Sequence, residues 1–132
     1  MNMPRRRVVV TGLGCVSPVG NTVDATWANL LAGQSGVGLI THFDASTFNC
    51  KIAAEVKGFD IESYMSAKEA RTMDTFIHYG IAAAAQAVAD AGLPTGDDLS
   101  DELATRIACV IGSGIGGLPM IESVHAEYVQ RG

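Results

Sequence analysis

Residues 106–117, RIACVIGSGIGG, decide how this chain is to be read. The run Ile107-Ala108-Cys109-Val110-Ile111 is short, apolar and partly β-branched, which predicts a strand. It empties into Gly112-Ser113-Gly114-Ile115-Gly116-Gly117, and the residues from about Leu118 to Gln130 predict a helix. Strand, glycine turn and helix is the setting in which G-x-G-x-x-G cradles a dinucleotide pyrophosphate. It is equally a setting in which small residues let the backbone pass close to a neighbour. The cofactor reading needs an acidic residue about 20 positions further on, at the end of the next strand, and the sequence stops before that position. The fingerprint also ordinarily opens its domain, whereas two strand–helix units precede it here. On these residues alone both readings stand.

Working outward, Val8-Val9-Val10 predicts a strand stopped by Thr11-Gly12-Leu13-Gly14, and its continuous β-branched run predicts burial on both faces. Asn21 or Thr22 caps a short helix with Val23, Trp27, Leu30 and Leu31 as its apolar positions, ending at Gly33. The stretch GQSGVGLITHFDAST is turn-rich and reads as irregular; Lys51 to Val56 reads as a second strand, closed by Gly58-Phe59-Asp60. Ser66 and Glu69 have capping-box spacing, which opens a helix running to about Ala91, where Gly92 and Pro94 end it. Met73, Phe76, Ile77, Ile81, Ala84 and Val88 form its apolar stripe. The other face carries Lys68, Arg71, Thr75 and His78 early and Ala82, Ala85 and Ala89 late, as expected of a helix partly buried between layers. Gly80 in its interior costs about 1 kcal/mol relative to alanine, and close packing against another element is the expected compensation. The segment PTGDDLSDELAT reads as a solvated acidic connector. Strands alternating with helices predict α/β layers on a mainly parallel sheet.

Charged residues make up only 17% of the 132-residue chain and hydrophobic residues 48%, against about 25% charged in an ordinary soluble protein. Such a surface is expected to be covered by a partner or by more polypeptide. The net charge of −5 argues against nucleic acid or an anionic membrane as partner, and Arg5-Arg6-Arg7 is the one basic run, read as a solvated arm. No apolar stretch approaches the ~20 residues of a membrane span, and no signal-peptide pattern opens the chain. Cys15, Cys50 and Cys109 lack metal-ligand spacing and fit a reducing cytoplasm, each packing as a small hydrophobe. His42, His78 and His125 are widely spaced and read as surface or packing residues.

Taken in order, RRVVVTGLGCVSPVGNT, W..LLAGQSG, HFD, DTFIHYG and ATRIACVIGSGIGGL closely resemble the N-terminal part of the β-ketoacyl-acyl-carrier-protein synthases, and within them the bacterial type II ketoacyl synthase II group. The resemblance spans essentially all of residues 1–132. It implies a thiolase-like fold, two related α/β halves in α-β-α-β-α layers, of which this chain is an N-terminal segment without a complete second half. It implies a cytoplasmic homodimer working on acyl- and malonyl-loaded acyl carrier protein, with no cofactor and no metal, and so decides against a dinucleotide. The implied reaction loads an acyl chain on a cysteine, decarboxylates malonyl carrier protein and joins the two, assisted by two histidines. In the family the nucleophile lies in a later T-A-C motif and the histidines later still. None of Cys15, Cys50 or Cys109 sits in a matching context, so no catalytic residue is assigned and the segment alone is expected to be inactive.

Three residues carry over from the resemblance. Ile115 matches the isoleucine that lines the acyl pocket at the dimer interface and helps set chain length. Lys68 and Arg71 match part of the basic patch that receives the acidic carrier protein, although a further expected basic position is Thr72 here. A non-catalytic dimerisation or docking subunit and a polyketide-type ketosynthase segment are the alternative implications.

Overall fold

A computed structural model describes residues 6–132, so Arg5 of the basic run lies outside the described residues. The elements are α1 (Val23–Leu31), β1 (Val37–Leu39), β2 (Ile52–Ala54), α2 (Ala67–Ala70), α3 (Thr75–Asp90), α4 (Asp101–Ala104) and α5 (Leu118–Arg131), with single 3-10 turns at Ile61–Ser63 and Gly96–Asp98.

The helix expected from Ser66 to Ala91 is two helices. The Ser66–Glu69 capping box forms as the spacing predicts, but α2 ends at Ala70. Thr72 then turns its hydroxyl back to the Glu69 carbonyl at 2.7 Å, and Asp74 restarts the chain as the N-cap of α3. Short oxygen-bearing side chains offer the backbone local partners that compete with a continuous helix. His78 keeps the two pieces together, its Nε2 2.9 Å from the Ala70 carbonyl oxygen. At the far end Ala91 caps α3 and Gly92 follows at φ +62°, the left-handed stop its sequence predicts.

The small face of α3 makes a close contact with passing backbone. Ala83, Ala87 and Ala91 recur every four residues, and residues 12–15 lie directly against them. A methyl group on Gly14 would sit 1.8 Å from the Ala83 carbonyl oxygen, and one on Gly12 2.2 Å from that of Ala87. Side chains of the same helix then hold the passing backbone. Asp90 accepts the Leu13 N–H at 2.8 Å and Gln86 Oε1 accepts the Cys15 N–H at 3.1 Å. The Gln86 amide also donates to the Asn21 carbonyl at 2.8 Å and to the Tyr64 hydroxyl at 2.9 Å. One glutamine thereby satisfies polar groups from three separate segments.

This arrangement corrects several expectations. The covered stripe of α3 includes the fully buried Ala82, assigned from sequence to the opposite face, while Ala84 is exposed. A ridge of alanines admits a backbone where Phe76 and Ile81 cannot. Gly80 has no atom within 4 Å of where its Cβ would lie, so the close packing expected to offset its helix cost is absent among the described residues. Val8–Val10 forms no strand and is exposed rather than buried on both faces, Val8 to 95%. Residues 107–111 likewise form no strand. An extended segment becomes a strand only when a neighbour pairs its N–H and C=O groups, and no described residue does so for either run.

The described sheet is therefore the antiparallel pair β1–β2, with Val37 opposite Ala54 and Leu39 opposite Ile52, and not a mainly parallel one. β2 falls within the strand expected at Lys51 to Val56. β1 arises inside the segment read as irregular, because ties at both ends hold its register. Glu55 accepts both the backbone N–H and the hydroxyl of Thr41, and Lys57 Nζ donates to the Gly36 carbonyl at 3.1 Å. The Thr41 backbone amide and then its hydroxyl hold the Glu55 carboxyl below its usual range. Thr22 caps α1 by accepting the Ala25 N–H. The acidic connector contains α4, capped by Ser100, rather than only solvated loop.

Candidate functional site

The glycine turn at residues 112–117 is built from its following helix backward. α5 has Gly117 as its N-cap and no side chain of its own there to satisfy the first free N–H groups. Asp74 supplies the missing acceptor from 46 positions away in sequence: one carboxylate oxygen accepts the Met120 N–H at 3.0 Å. The other oxygen accepts the Thr75 N–H at 2.6 Å, capping α3. Asp74 is the buried charged residue among the described side chains, 8% exposed. Its position at two helix N-termini, each with a positive dipole end, is where a carboxylate is stabilised.

This carboxylate dictates the local residue types. A Cβ on Gly117 would meet Asp74 Oδ2 at 2.5 Å. Gly116 takes φ +79°, a backbone geometry that disfavours a side chain, and Phe76 approaches within 3.5 Å of where its Cβ would lie. Ile115 stands next to these anchored glycines and projects outward, 74% exposed. The preceding Ile111, Gly112 and Ser113 face Phe76, Ile77, Gly80 and Ile81 of α3 across an apolar cavity of about 310 Å³. A second cavity of about 780 Å³ opens among His42, Phe43, Phe48, Tyr79 and the start of α5.

Lys68 and Arg71 lie three residues apart on α2 and its C-cap and both are exposed. They are neighbours on one helical surface, but that surface belongs to α2 and not to the long helix expected to carry them. Ser66, through its hydroxyl and then its backbone amide, holds the Glu69 carboxyl between them below its usual range. The cysteines are unbonded to one another. Cys15 is half-buried, whereas Cys50 and Cys109 are exposed, contrary to the expectation that all three pack as small hydrophobes; the chain beside each of these two forms no layer over it. His78 serves packing as expected, and His42 lies 3.9 Å from Glu55 on the surface.

The sequence reading did not assign Asp74 or Gln86. Asp74 carried a legible signal, an Asp directly before a helix-forming run; Gln86 carried none, since its partners are distant in sequence. No helix among the described residues is long and apolar enough to cross a membrane.

Comparison with known proteins places this geometry. Residues 5–131 match the family model for the beta-ketoacyl synthase, N-terminal domain. The 3-oxoacyl-(acyl-carrier-protein) synthase 2 of Vibrio cholerae serotype O1 is 55% identical over 130 residues, which is 98% of this chain and 30% of that protein. The protein of the same name from Staphylococcus aureus is 45% identical over 127 residues, covering 96% of this chain and 30% of the relative. A solved structure titled "The ishigamide ketosynthase/chain length factor" superposes with a TM-score of 0.64 at 43% identity, over 73% of this chain and 24% of its own. The chain thus spans about 30% of the length of the curated relatives it matches. With the match running from the first glycine segment through α5, the chain belongs to the β-ketoacyl synthase family, within its N-terminal domain.

Proposed function

We propose that residues 1–132 are the N-terminal segment of a 3-oxoacyl-acyl-carrier-protein synthase, which condenses an acyl group with malonyl carrier protein, with loss of carbon dioxide, in fatty-acid elongation. The observation that carries this reading is 55% identity over 98% of the chain to a protein named for that activity. The parent enzyme is an acyltransferase that needs no cofactor, takes acyl- and malonyl-loaded acyl carrier protein as partners and works as a cytoplasmic homodimer of thiolase-like α-β-α-β-α layers. Ile115 lines the acyl pocket: a β-branched side chain there fills or vacates space by changing rotamer, and its outward projection suits a pocket completed by another surface. Lys68 and Arg71 dock the acidic carrier protein, supported by their shared exposed face.

The nucleophilic cysteine and the two histidines lie outside these residues. Residues 1–132 alone therefore give no condensation of acyl and malonyl carrier protein, while the full-length protein does. Within the full-length enzyme, Ile115→Phe shortens the acyl chains accepted. Turnover by residues 1–132 alone would overturn the assignment of catalysis to later residues, and an unchanged chain-length profile would remove Ile115 from the pocket. The solved relative whose title names a chain length factor beside a ketosynthase favours a second reading, a non-condensing partner subunit or polyketide-type segment. Full-length protein that dimerises and binds carrier protein without turnover would support it.

A further inference from the structure

The carboxylate of Asp74 ties together two elements, α3 and α5. It caps α3 through Thr75 and α5 through Met120, and it is the atom group against which Gly117 is pressed. Ile115 lies two residues before Gly117, on a turn whose other fixed points are the left-handed Gly116 and the Phe76 ring beside it. The path from Asp74 to Ile115 is thus a short, tightly bent backbone segment. Releasing its C-terminal anchor lets α5 and the turn slide relative to α3, and with them the direction in which Ile115 projects.

We propose that Asp74 is a positioning residue for acyl chain length: its two-helix cap sets where Ile115 stands, and so how deep an acyl chain the enzyme accepts. This rests on the assignment of Ile115 to the acyl pocket. Asp74 touches no substrate in this scheme and acts only through the turn.

The test uses the full-length enzyme and acyl carrier proteins loaded with short and long saturated chains. Asp74→Asn keeps the shape and one acceptor oxygen but replaces the second with an amide that cannot accept an N–H. The ratio of kcat/KM for long over short chains is expected to change about fivefold, the scale set by losing one helix-capping hydrogen bond, with thermal stability lowered only modestly. Gly117→Ala is the independent variant. Its φ of −85° and ψ of 63° suit a non-glycine residue, so its added methyl acts by displacing the Asp74 carboxylate, and the same ratio is expected to shift. Thr22→Ala removes a helix cap far from the turn and serves as control: it lowers stability and leaves the ratio unchanged. An unchanged ratio in whichever of Asp74→Asn and Gly117→Ala folds would overturn the inference. So would a control that shifts the ratio equally, or failure of both variants to fold, which would make Asp74 a folding residue instead. Ile115→Phe separates the two levels: if it shifts the profile and the Asp74 variants do not, only the present inference falls; if it does not, the pocket assignment falls first.

Discussion

Two glycine segments, residues 11–14 and 112–117, look alike in sequence and are held in opposite ways. Gly12 and Gly14 are glycines because a helix backbone passes within what would be 1.8–2.2 Å of their missing methyls, and neither needs a positive φ. Gly112 and Gly114 have, among the described residues, no atom within 4 Å of where a Cβ would lie. In the second segment only the last two glycines are constrained, one by its φ of +79° and one by Asp74. The first segment is clamped along its length by the alanine ridge, Gln86 and Asp90; the second is anchored at one end and free at the residue proposed to meet substrate. A glycine-rich motif therefore states that a side chain is unwelcome, and only its neighbours state why.

The largest effect expected from this contrast is at Gly14. In the full-length protein Gly14→Ala should cost about 3 kcal/mol, because the obstacle is helix backbone that cannot rotate aside, whereas Gly114→Ala should cost about 0.5 kcal/mol or less. Chemical denaturation of both variants checks this; equal losses would break the contrast and show the second segment pressed against a neighbour as well. Next in size is Gln86→Leu, which leaves the Cys15 N–H without its acceptor and the Asn21 carbonyl without its donor. About 2 kcal/mol is expected, and an unchanged unfolding midpoint would mean that the clamp on the first segment does not depend on this side chain.

The smallest effect is at the start of α2. The Glu69 carboxyl is held below its usual range by Ser66, so the folded state binds its proton less readily than the unfolded chain. Its contribution is present above the ordinary glutamate value and is lost as pH falls through the depressed one. The stability difference between the parent protein and Glu69→Gln should therefore shrink toward zero on acidification, and a difference that persists at low pH would remove the ionised capping box as its source.

Much of the local structure was legible in the residues. The Ser66–Glu69 box, an α1 cap at Asn21 or Thr22 and the Gly92 stop all follow from hydrogen bonds within a few residues of one another. The sheet was not legible in this way. Val8–Val10 and residues 107–111 have the composition of strands, yet pairing is a relation between segments, and the described residues bring no partner to either. The break before α3 did not show in the periodicity because the apolar stripe continues across it from Met73 to Phe76 and Ile77, while the oxygens of Thr72 and Asp74 turn and cap the backbone there. Of the candidate site, Ile115, Lys68 and Arg71 are proposed from the family resemblance, whereas the carboxylate that anchors the turn came only from the tertiary structure.

By itself the sequence determined the family, the Ser66–Glu69 capping box, the Gly92 stop and the position of the glycine turn, since these depend on residue order and short-range chemistry. Tertiary structure alone decided which alanines of α3 receive the chain at residues 12–15, that Gln86 serves three segments, and that Asp74 caps two helices at once. Those facts depend on groups 22 to 77 positions apart meeting at hydrogen-bond distance, and no local pattern records which distant group a side chain will meet.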